Sequence, residues 1–352
     1  MNGINQVVAA ATLGDAVTGQ AFAWQRLLSS WGYTGQVYAE HVDPRLVGRA
    51  QRLDGADRRS LRRDDAVLHY SVWSEAIPAV LDSSDRVALY YHNVTPGNLL
   101  RDFNPVLADF CDRGRQHLGE FRDRVAPVLA VSRFNASDLL EAGLGEASVI
   151  PLLLDLPDEI PERDPNREPI VLTVGRIVPN KRLEDVVKVF TLYQRHRAPN
   201  ASLVVVGSDS GFETYRSALD VLVTSLGAER VFFTGAISSE ARDSWYRRAD
   251  VYLSMSVHEG FCAPLIEALA HGVPVVARSA AAVPETLGEA GVLIEGDDLP
   301  LAAEALHELV SSETTRSGFA AAAESRLAEL RPEVIALQIR TALEPLLESV
   351  GR

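Results

Sequence analysis

Short apolar, β-branched runs alternate with helical patterns along the chain, and they do so twice over. In the first half the runs are Val7–Ala11, Gln36–Tyr38, Ala66–Tyr70, Val87–Tyr91, Val128–Val131 and Ser148–Leu152. In the second half they are Ile170–Val174, Leu203–Val206, Val231–Thr234, Val251–Ser254, Val273–Ala277 and Val292–Ile294. Strands that are apolar on both faces and separated by helices belong to parallel sheets. The pattern therefore predicts an α/β chain with two open parallel sheets. Its 352 residues exceed one ordinary core and suit two domains. The Pro- and acid-rich stretch 156–168 reads as a linker between an N-terminal domain over 1–155 and a C-terminal domain over 169–333. Beyond it, Ile335, Ile339, Leu343, Leu346 and Val350 recur at helical spacing. A terminal amphipathic helix over about 334–350 must bury that stripe, in the second domain or back on the first.

Composition narrows the class. A net charge of −14 with no basic stripe disfavours nucleic acid as a partner. The local cluster Arg58, Arg59, Arg62 and Arg63 is flanked by Asp54, Asp57, Asp64 and Asp65, so it reads first as a solvated helix face. Peripheral membrane contact through it is allowed but not favoured. No apolar run reaches the ~18 residues of a membrane span. No basic residue precedes the apolar stretch Val7–Leu13, so no signal peptide is expected. Two cysteines, Cys111 and Cys262, suit a reducing, cytoplasmic setting.

In open α/β sheets, ligands sit beyond the carboxyl ends of the strands. The unusual residues fall there. Gly14 and Asp15 follow the first run, His92 the fourth, Arg176 and Lys181 the seventh, Gly207 the eighth, and His258-Glu259-Gly260 the tenth. In Ser256–Ala268 a strand ends, a glycine turns the chain, and a helix begins near Cys262, with Pro264 in its first turn. Free amides at such a helix start can hold a diphosphate. Glu259 and Glu267 are too far apart to share one atom. They suit two ends of one elongated ligand, sugar hydroxyls at Glu259 and ribose hydroxyls at Glu267. The plainer reading is a capped surface helix with two solvated acids. Arg176 and Lys181 are either a solvated loop pair or a preorganised cation pair for a phosphate leaving group. Arg182, beside them, is expected to face solvent.

Gly14–Gln20 approaches a phosphate-binding G-x4-G-K-[ST] loop but has Gln20 and Ala21 where lysine and a hydroxyl are required, which excludes that ATPase reading. Gly14 instead reads as a tight turn that brings the backbone close to a ligand phosphate, and Asp15 either meets a ligand or caps the first helix. No G-x-G-x-x-G occurs, which disfavours a nicotinamide dehydrogenase. Gly207 and Gly235 mark close backbone approach. Val283–Thr286 is a candidate cover for the ligand, and Cys262 a small helix-start residue, not a nucleophile.

Five stretches in one order carry a family resemblance. HEGFCAPLIEALAHGVPVVA, with its E-x7-E pattern, resembles the donor site of family-4 (group 1) retaining glycosyltransferases of the GT-B fold. Val174–Val187 is similar to that family's phosphate-binding loop, Tyr91–Gly97 to the histidine loop of one subset, Val131–Gly143 to the helix near the end of the acceptor domain, and Ala280–Ile294 to the segment after the donor helix. The resemblance implies two Rossmann-like domains facing across a cleft, with acceptor on the first and nucleotide sugar on the second. It implies a retaining transfer from a nucleotide diphosphate sugar, UDP before GDP, to an acceptor hydroxyl. The catalytic set it implies is His92, Arg176, Lys181 and Glu259. The donor-side set is Gly14, Gly207, Gly260, Phe261, Cys262, Ala263 and Glu267, and the acceptor-side set is Asp15, Asn93 and Thr95. His92 would contact the sugar and steady positive charge at the anomeric carbon. No Asp-x-Asp occurs, so no metal and no cofactor are expected. Two alternatives remain on the same fold, a pseudo-glycosyltransferase coupling a non-sugar nucleotide donor and a non-catalytic nucleotide-sugar-binding protein. Product analysis separates the first, and the joint presence of His92, Arg176, Lys181, Glu259 and Glu267 argues against the second.

Overall fold

The computed structural model describes residues 3–53, 61, 64–157 and 167–347. The first part runs β1 (Ile4–Ala11), α1 (Ala16–Ser30), β2 (Val37–Val42), β3 (Ala50–Arg52), β4 (Asp65–Tyr70), α2 (Ile77–Ser83), β5 (Val87–Tyr91), α3 (Pro105–Gln116), β6 (Val128–Ala130), α4 (Arg133–Glu141) and β7 (Ser148–Val149). Next come β8 (Ile170–Val174), α5 (Leu183–His196), β9 (Ser202–Val206), α6 (Glu213–Leu226), β10 (Val231–Phe233), α7 (Ser239–Arg248) and β11 (Val251–Ser254). The chain ends on α8 (Ala263–Ala270), β12 (Val275–Arg278), α9 (Val283–Leu287), β13 (Val292–Ile294), α10 (Leu299–Ser311), α11 (Glu313–Glu329), α12 (Pro332–Ala342) and α13 (Glu344–Leu347). Each apolar run read from the sequence holds or overlaps a strand. The basic cluster Arg58, Arg59, Arg62 and Arg63 and most of the 156–168 linker lie outside the described residues.

The chain divides into two compact units. The first comprises Met1–Asn98, Val106–Leu154 and Leu330–Arg352, and the second Leu99–Pro105 and Asp155–Glu329. Each is built on a wholly parallel sheet. The first has the order β3-β2-β1-β4-β5-β6-β7 and the second β10-β9-β8-β11-β12-β13. In both, the chain starts at the centre, winds outward one way, then returns and winds the other way. The strand order therefore reverses between β1 and β4 in one unit and between β8 and β11 in the other. Loops that diverge at such a point leave a crevice at the strands' carboxyl ends.

The strand missed in the sequence is β3. Ala50-Gln51-Arg52 has no apolar alternation because it is an edge strand that buries Ala50 alone and leaves Gln51 and Arg52 exposed.

The terminal helix packs on the first unit. It is broken in two, because Pro345 has no N–H to continue α12. Ile335, Ile339, Leu343 and Leu346 are all buried, each contributing about 1.5–3 kcal/mol over leaving it exposed. Val350 lies outside the described residues. Arg86 secures the end of this segment. Its guanidinium is paired with buried Asp65 and donates to the carbonyls of Pro345 and Leu346.

Candidate active site

In the second unit, the reversal point carries charge. Thr173–Arg176 at the end of β8 and Tyr252, Ser254–Ser256 and Glu259 at the end of β11 line one pocket, together with Lys181 and Leu183. Lys181 and Glu259, 78 positions apart in the chain, meet here, Nζ to Oε1 at 2.5 Å. Both are largely buried. Burial alone would push the Lys181 ammonium down, but the adjacent Glu259 carboxylate outweighs it and holds the ammonium above its ordinary value. The residue is thus a fixed cation at any physiological pH. Arg176, by contrast, is exposed and lies over the Phe212 ring at 5.9 Å. Among the described residues it has no carboxylate partner, so its charge is available to a ligand.

Backbone constraints position these groups. Gly207, read as donor-side, packs so closely on the preceding loop that a Cβ would come within 1.9 Å of the Gly175 carbonyl oxygen. Its place is behind the Gly175-Arg176 turn, which it allows to form. The loop carrying Glu259 is tied by the Asn180 amide, which donates to the His258 carbonyl at 3.0 Å, and by Val257 N–H donating to Asn180 at 2.9 Å. The Ala282 N–H donates to the Glu259 carbonyl at 3.3 Å. Val283 and Thr286 are themselves fully buried, so α9 supports this loop from behind and those two side chains are not the cover expected of them.

The helix start at Ala263 is open. Cys262, the residue before α8, has a left-handed backbone (φ 69°) and gives no side-chain cap. Pro264 has no N–H and Leu265 N–H donates to the Cys262 carbonyl at 3.1 Å, so among the described residues the amides left open are those of Cys262 and Ala263. Burial pushes the Cys262 thiol well up, so no thiolate nucleophile forms. Phe261 is buried beside it, and Gly260 and Ala263 are half-buried. One turn on, Glu267 accepts from Tyr246 Oη at 2.7 Å and lies 3.5 Å from the Arg242 guanidinium. Neither partner was legible in the sequence.

Arg182 keeps part of the solvent exposure expected of it but is also ion-paired. Its backbone is left-handed (φ 50°), and its guanidinium pairs with Glu184 at 3.2 Å and Asp185 at 3.0 Å. Buried Asp185 also binds Lys188 and Arg278. Arg278, only 4% exposed, donates to the Met255 carbonyl at 2.8 Å as well and pairs with Asp297. One buried guanidinium thereby joins α5 to the loops after β11 and β13. Charge is expensive to bury unless paired in this way.

In the first unit, the histidine cluster beside the reversal point is neutral. His92, directly after β5, donates its backbone N–H to the Tyr70 carbonyl at 2.8 Å. Its Nε2 lies 3.0 Å from Nδ1 of His69, whose Nε2 lies 2.9 Å from Oε1 of Gln6. Burial lowers the His92 pKa to about 3 and holds His69 well below the ordinary range, helped there by His92. Tyr90 and Trp24 close the cluster, their rings stacked at 4.6 Å. Gln6 and His69 were missed as site residues. Gln6 stands beside Asn5 at the start of β1 and His69 near the end of β4, where each interrupts an otherwise apolar stretch.

The remaining candidates sort plainly. Asp15 caps α1, accepting from the Thr18 N–H at 2.8 Å and hydroxyl at 2.9 Å. Of the two roles open to it, capping is the one seen. Gly14 is exposed with φ +81° and nothing near an added Cβ. Asn93 is buried with a left-handed backbone (φ 81°), and its amide nitrogen reaches Asn135 at 3.0 Å and Asp138 at 3.3 Å. It supports the histidine loop from within, where acceptor contact had been expected. Thr95 is half-buried on the same loop.

Residues 158–326 match the family described as Glycosyl transferases group 1. Among curated relatives, the GDP-mannose-dependent alpha-(1-6)-phosphatidylinositol monomannoside mannosyltransferase of Mycolicibacterium smegmatis is 31% identical over 154 residues, 41% of this chain and 39% of that protein. The D-inositol 3-phosphate glycosyltransferase of Rhodococcus opacus is 35% identical over 162 residues, 45% of this chain and 36% of that one. The chain thus spans under two fifths of the length of these relatives. Among solved structures, Anabaena HepE in complex with UDP and glucose superposes with a TM-score of 0.77 at 17% identity, covering 98% of this chain and 100% of that one. An identity this low speaks for the fold alone. The second unit matches the glycosyl transferases of group 1, and the chain has the GT-B fold of two Rossmann-like domains.

Proposed function

We propose that the chain is a glycosyltransferase that moves a sugar from a nucleotide diphosphate sugar to an acceptor hydroxyl, with retention at the anomeric carbon. The observation that carries this reading is the charged reversal point of the second unit. There Arg176, without a carboxylate partner among the described residues, the fixed cation Lys181 and the uncapped start of α8 lie beyond the carboxyl ends of the two central strands. A diphosphate gains negative charge as the glycosidic bond breaks, and preorganised cations and amides stabilise that charge without waiting for solvent. Glu259, already bound to Lys181, is placed to accept from sugar hydroxyls. Glu267, steadied by Tyr246, suits the ribose.

In the step proposed, the bond from the anomeric carbon to the phosphate oxygen breaks and a bond to the acceptor oxygen forms on the same face. The acceptor's proton passes to the leaving phosphate oxygen. His92 contacts the sugar as a neutral imidazole. Arg176 and Lys181 take the part a divalent metal plays in other transferases, so turnover should survive excess EDTA.

The base is where two lines of support part. The sequence resemblance puts UDP before GDP, and HepE was solved with UDP. The M. smegmatis relative, at higher identity, is named for GDP-mannose. Sequence identity bears on the ligand more than likeness of fold does, so GDP-mannose is the first donor to test and UDP-glucose its comparison. The two relatives' names both contain an inositol group, which makes D-inositol 3-phosphate a first acceptor. The test is mass spectrometry of products from each donor–acceptor pair, with the anomer read by NMR. A new α-glycoside and free nucleoside diphosphate are expected. Hydrolysis alone, transfer of a non-sugar group, or an inverted anomer would overturn the reading.

A further inference from the structure

The hydrogen bonds around His92 specify more than its position. Gln6 is fully buried in β1, and its amide nitrogen faces the Ile4 carbonyl at 3.3 Å. A carbonyl can only accept, so that end of the amide must be the NH2 group. The other end, 2.9 Å from His69 Nε2, is then the oxygen, and His69 Nε2 must carry the hydrogen. His69 is 1% exposed and has no carboxylate beside it in the contacts described, so it stays neutral and Nδ1 keeps its lone pair. The 3.0 Å contact to His92 then has one consistent assignment, with His92 Nε2–H donating to His69 Nδ1. A neutral His92 is left with a bare Nδ1, which has no hydrogen-bond partner among the described residues.

We propose that Gln6 and His69 are positioning residues that fix His92 as the Nε2–H tautomer, so that His92 presents an acceptor, not a donor, to its ligand. The partner it selects is a group with a hydrogen to give. A sugar or acceptor hydroxyl fits, whereas a phosphoryl oxygen would meet lone pair against lone pair. The buried carbonyl of Ile4 thus sets the hydrogen-bonding sense of a site residue 88 positions further along the chain (92 − 4). Trp24 and Tyr90 hold the relay by packing: Trp24 meets the His69 ring edge-on at 5.6 Å, and Tyr90 meets His92 at 4.4 Å. This inference rests on the proposed role of His92 only for the identity of the ligand, since the tautomer itself does not depend on it.

Long-range ¹H–¹⁵N correlation spectra of the full chain labelled at its 8 histidines read the tautomer directly. His92 is assigned by loss of its signals in His92→Gln. The expected result at neutral pH, without ligand, is a protonated Nε2 and a bare Nδ1 at His92. A protonated Nδ1, or an even mixture, overturns the proposal whatever any variant does. In Gln6→Leu, His69 loses its constraint and both histidines should become tautomer mixtures, with the other six histidines reporting that the fold is kept. Retention of a single Nε2–H tautomer there removes Gln6 from the relay. Titration then identifies the partner. GDP-mannose or UDP-glucose should move Nδ1 if the hydroxyl is the donor sugar's, and D-inositol 3-phosphate alone if it is the acceptor's. Movement by inorganic pyrophosphate alone would mean phosphate contact and contradict the acceptor assignment. An Nε2–H tautomer in a protein whose His92→Ala variant transfers sugar normally leaves the relay standing and removes the functional reading. An inactive His92→Ala variant with Nδ1 protonated in the native chain does the reverse. Turnover of Gln6→Leu should fall about 10–100-fold, the scale for losing an outer partner that orients a site histidine.

Discussion

The two sheets reverse their strand order in the same way, yet the residues at the two reversal points differ in kind. The second unit places Lys181, Glu259 and Arg176 there. The first places Gln6, His69 and His92 among Trp24 and Tyr90, with no ionised group in the relay. One scaffold therefore offers a fixed positive site and a neutral hydrogen-bonding site. Paired, preorganised charge suits a charged ligand, and an imidazole kept neutral by burial suits a hydroxyl group. The difference teaches that fold alone does not set the chemistry. The few side chains beyond the strand ends do.

The sharpest way to break the comparison is to remove the positive site. Arg176→Ala or Lys181→Ala should lower turnover about 10²–10³-fold, the scale for a lost preorganised donor. Steady-state kinetics at saturating nucleotide sugar measures it, and near-native turnover in both variants would show that the charge lies elsewhere. Lys181→Ala carries an extra cost, because Glu259 is left buried without its partner. Melting temperature should drop for Lys181→Ala and not for exposed Arg176→Ala.

Removing the neutral site should separate binding from chemistry. His92→Ala is expected to lower kcat about 10–100-fold, the scale for a buried hydroxyl left without its acceptor, while nucleotide diphosphate affinity stays within a few fold. If affinity and kcat fell together, His92 would belong with the phosphate contacts and the contrast would fail.

A smaller effect divides the two glutamates. Glu267→Gln should weaken free nucleoside diphosphate and sugar nucleotide alike, by about fivefold. Glu259→Gln should spare or tighten the free diphosphate, because it leaves Lys181 less neutralised, and should weaken the sugar nucleotide. Calorimetry with both ligands on both variants gives four affinities, and parallel losses in all four would remove the assignment.

A different readout is stability against pH. The folded pKa of His92 lies at about 3, below its unfolded value of about 6.5, so within that window the unfolded chain binds the extra proton. Stability should therefore fall as pH drops from about 6.5 towards 3, by at most about 1.4 kcal/mol per pH unit for this histidine, and His69 acts in the same direction. Above about 6.5 neither contributes. Urea unfolding at pH 7, 6 and 5 should show a flatter dependence in His92→Gln than in the native chain. An identical slope would mean that His92 is not held neutral.

The strands and their double winding were legible because buried parallel strands are written locally, as unbroken apolar runs. β3 was not, since an edge strand needs only Ala50 inside. Candidates that stand at strand ends, such as Arg176, Lys181, His92 and Glu259, were legible from order along the chain. Partnerships were not. The Lys181–Glu259 pair joins loops from two strands, and the Gln6–His69–His92 relay joins three. Asn93 shows the converse. It follows His92 and reads as a ligand residue, but its left-handed backbone turns the amide inward to Asn135 and Asp138. Local spacing cannot report that turn.

The central claim is that the charged reversal point of the second unit, and not the neutral one of the first, binds the nucleoside diphosphate. Isothermal titration of GDP and UDP into the native chain, Lys181→Ala and His92→Ala tests it most directly. The account predicts saturable binding of at least one nucleotide to the native chain, affinity lowered about 10–100-fold in Lys181→Ala, the range of a hydrogen bond to a charged group, and near-native affinity in His92→Ala. No saturable binding of either nucleotide, or equal losses in the two variants, would contradict it.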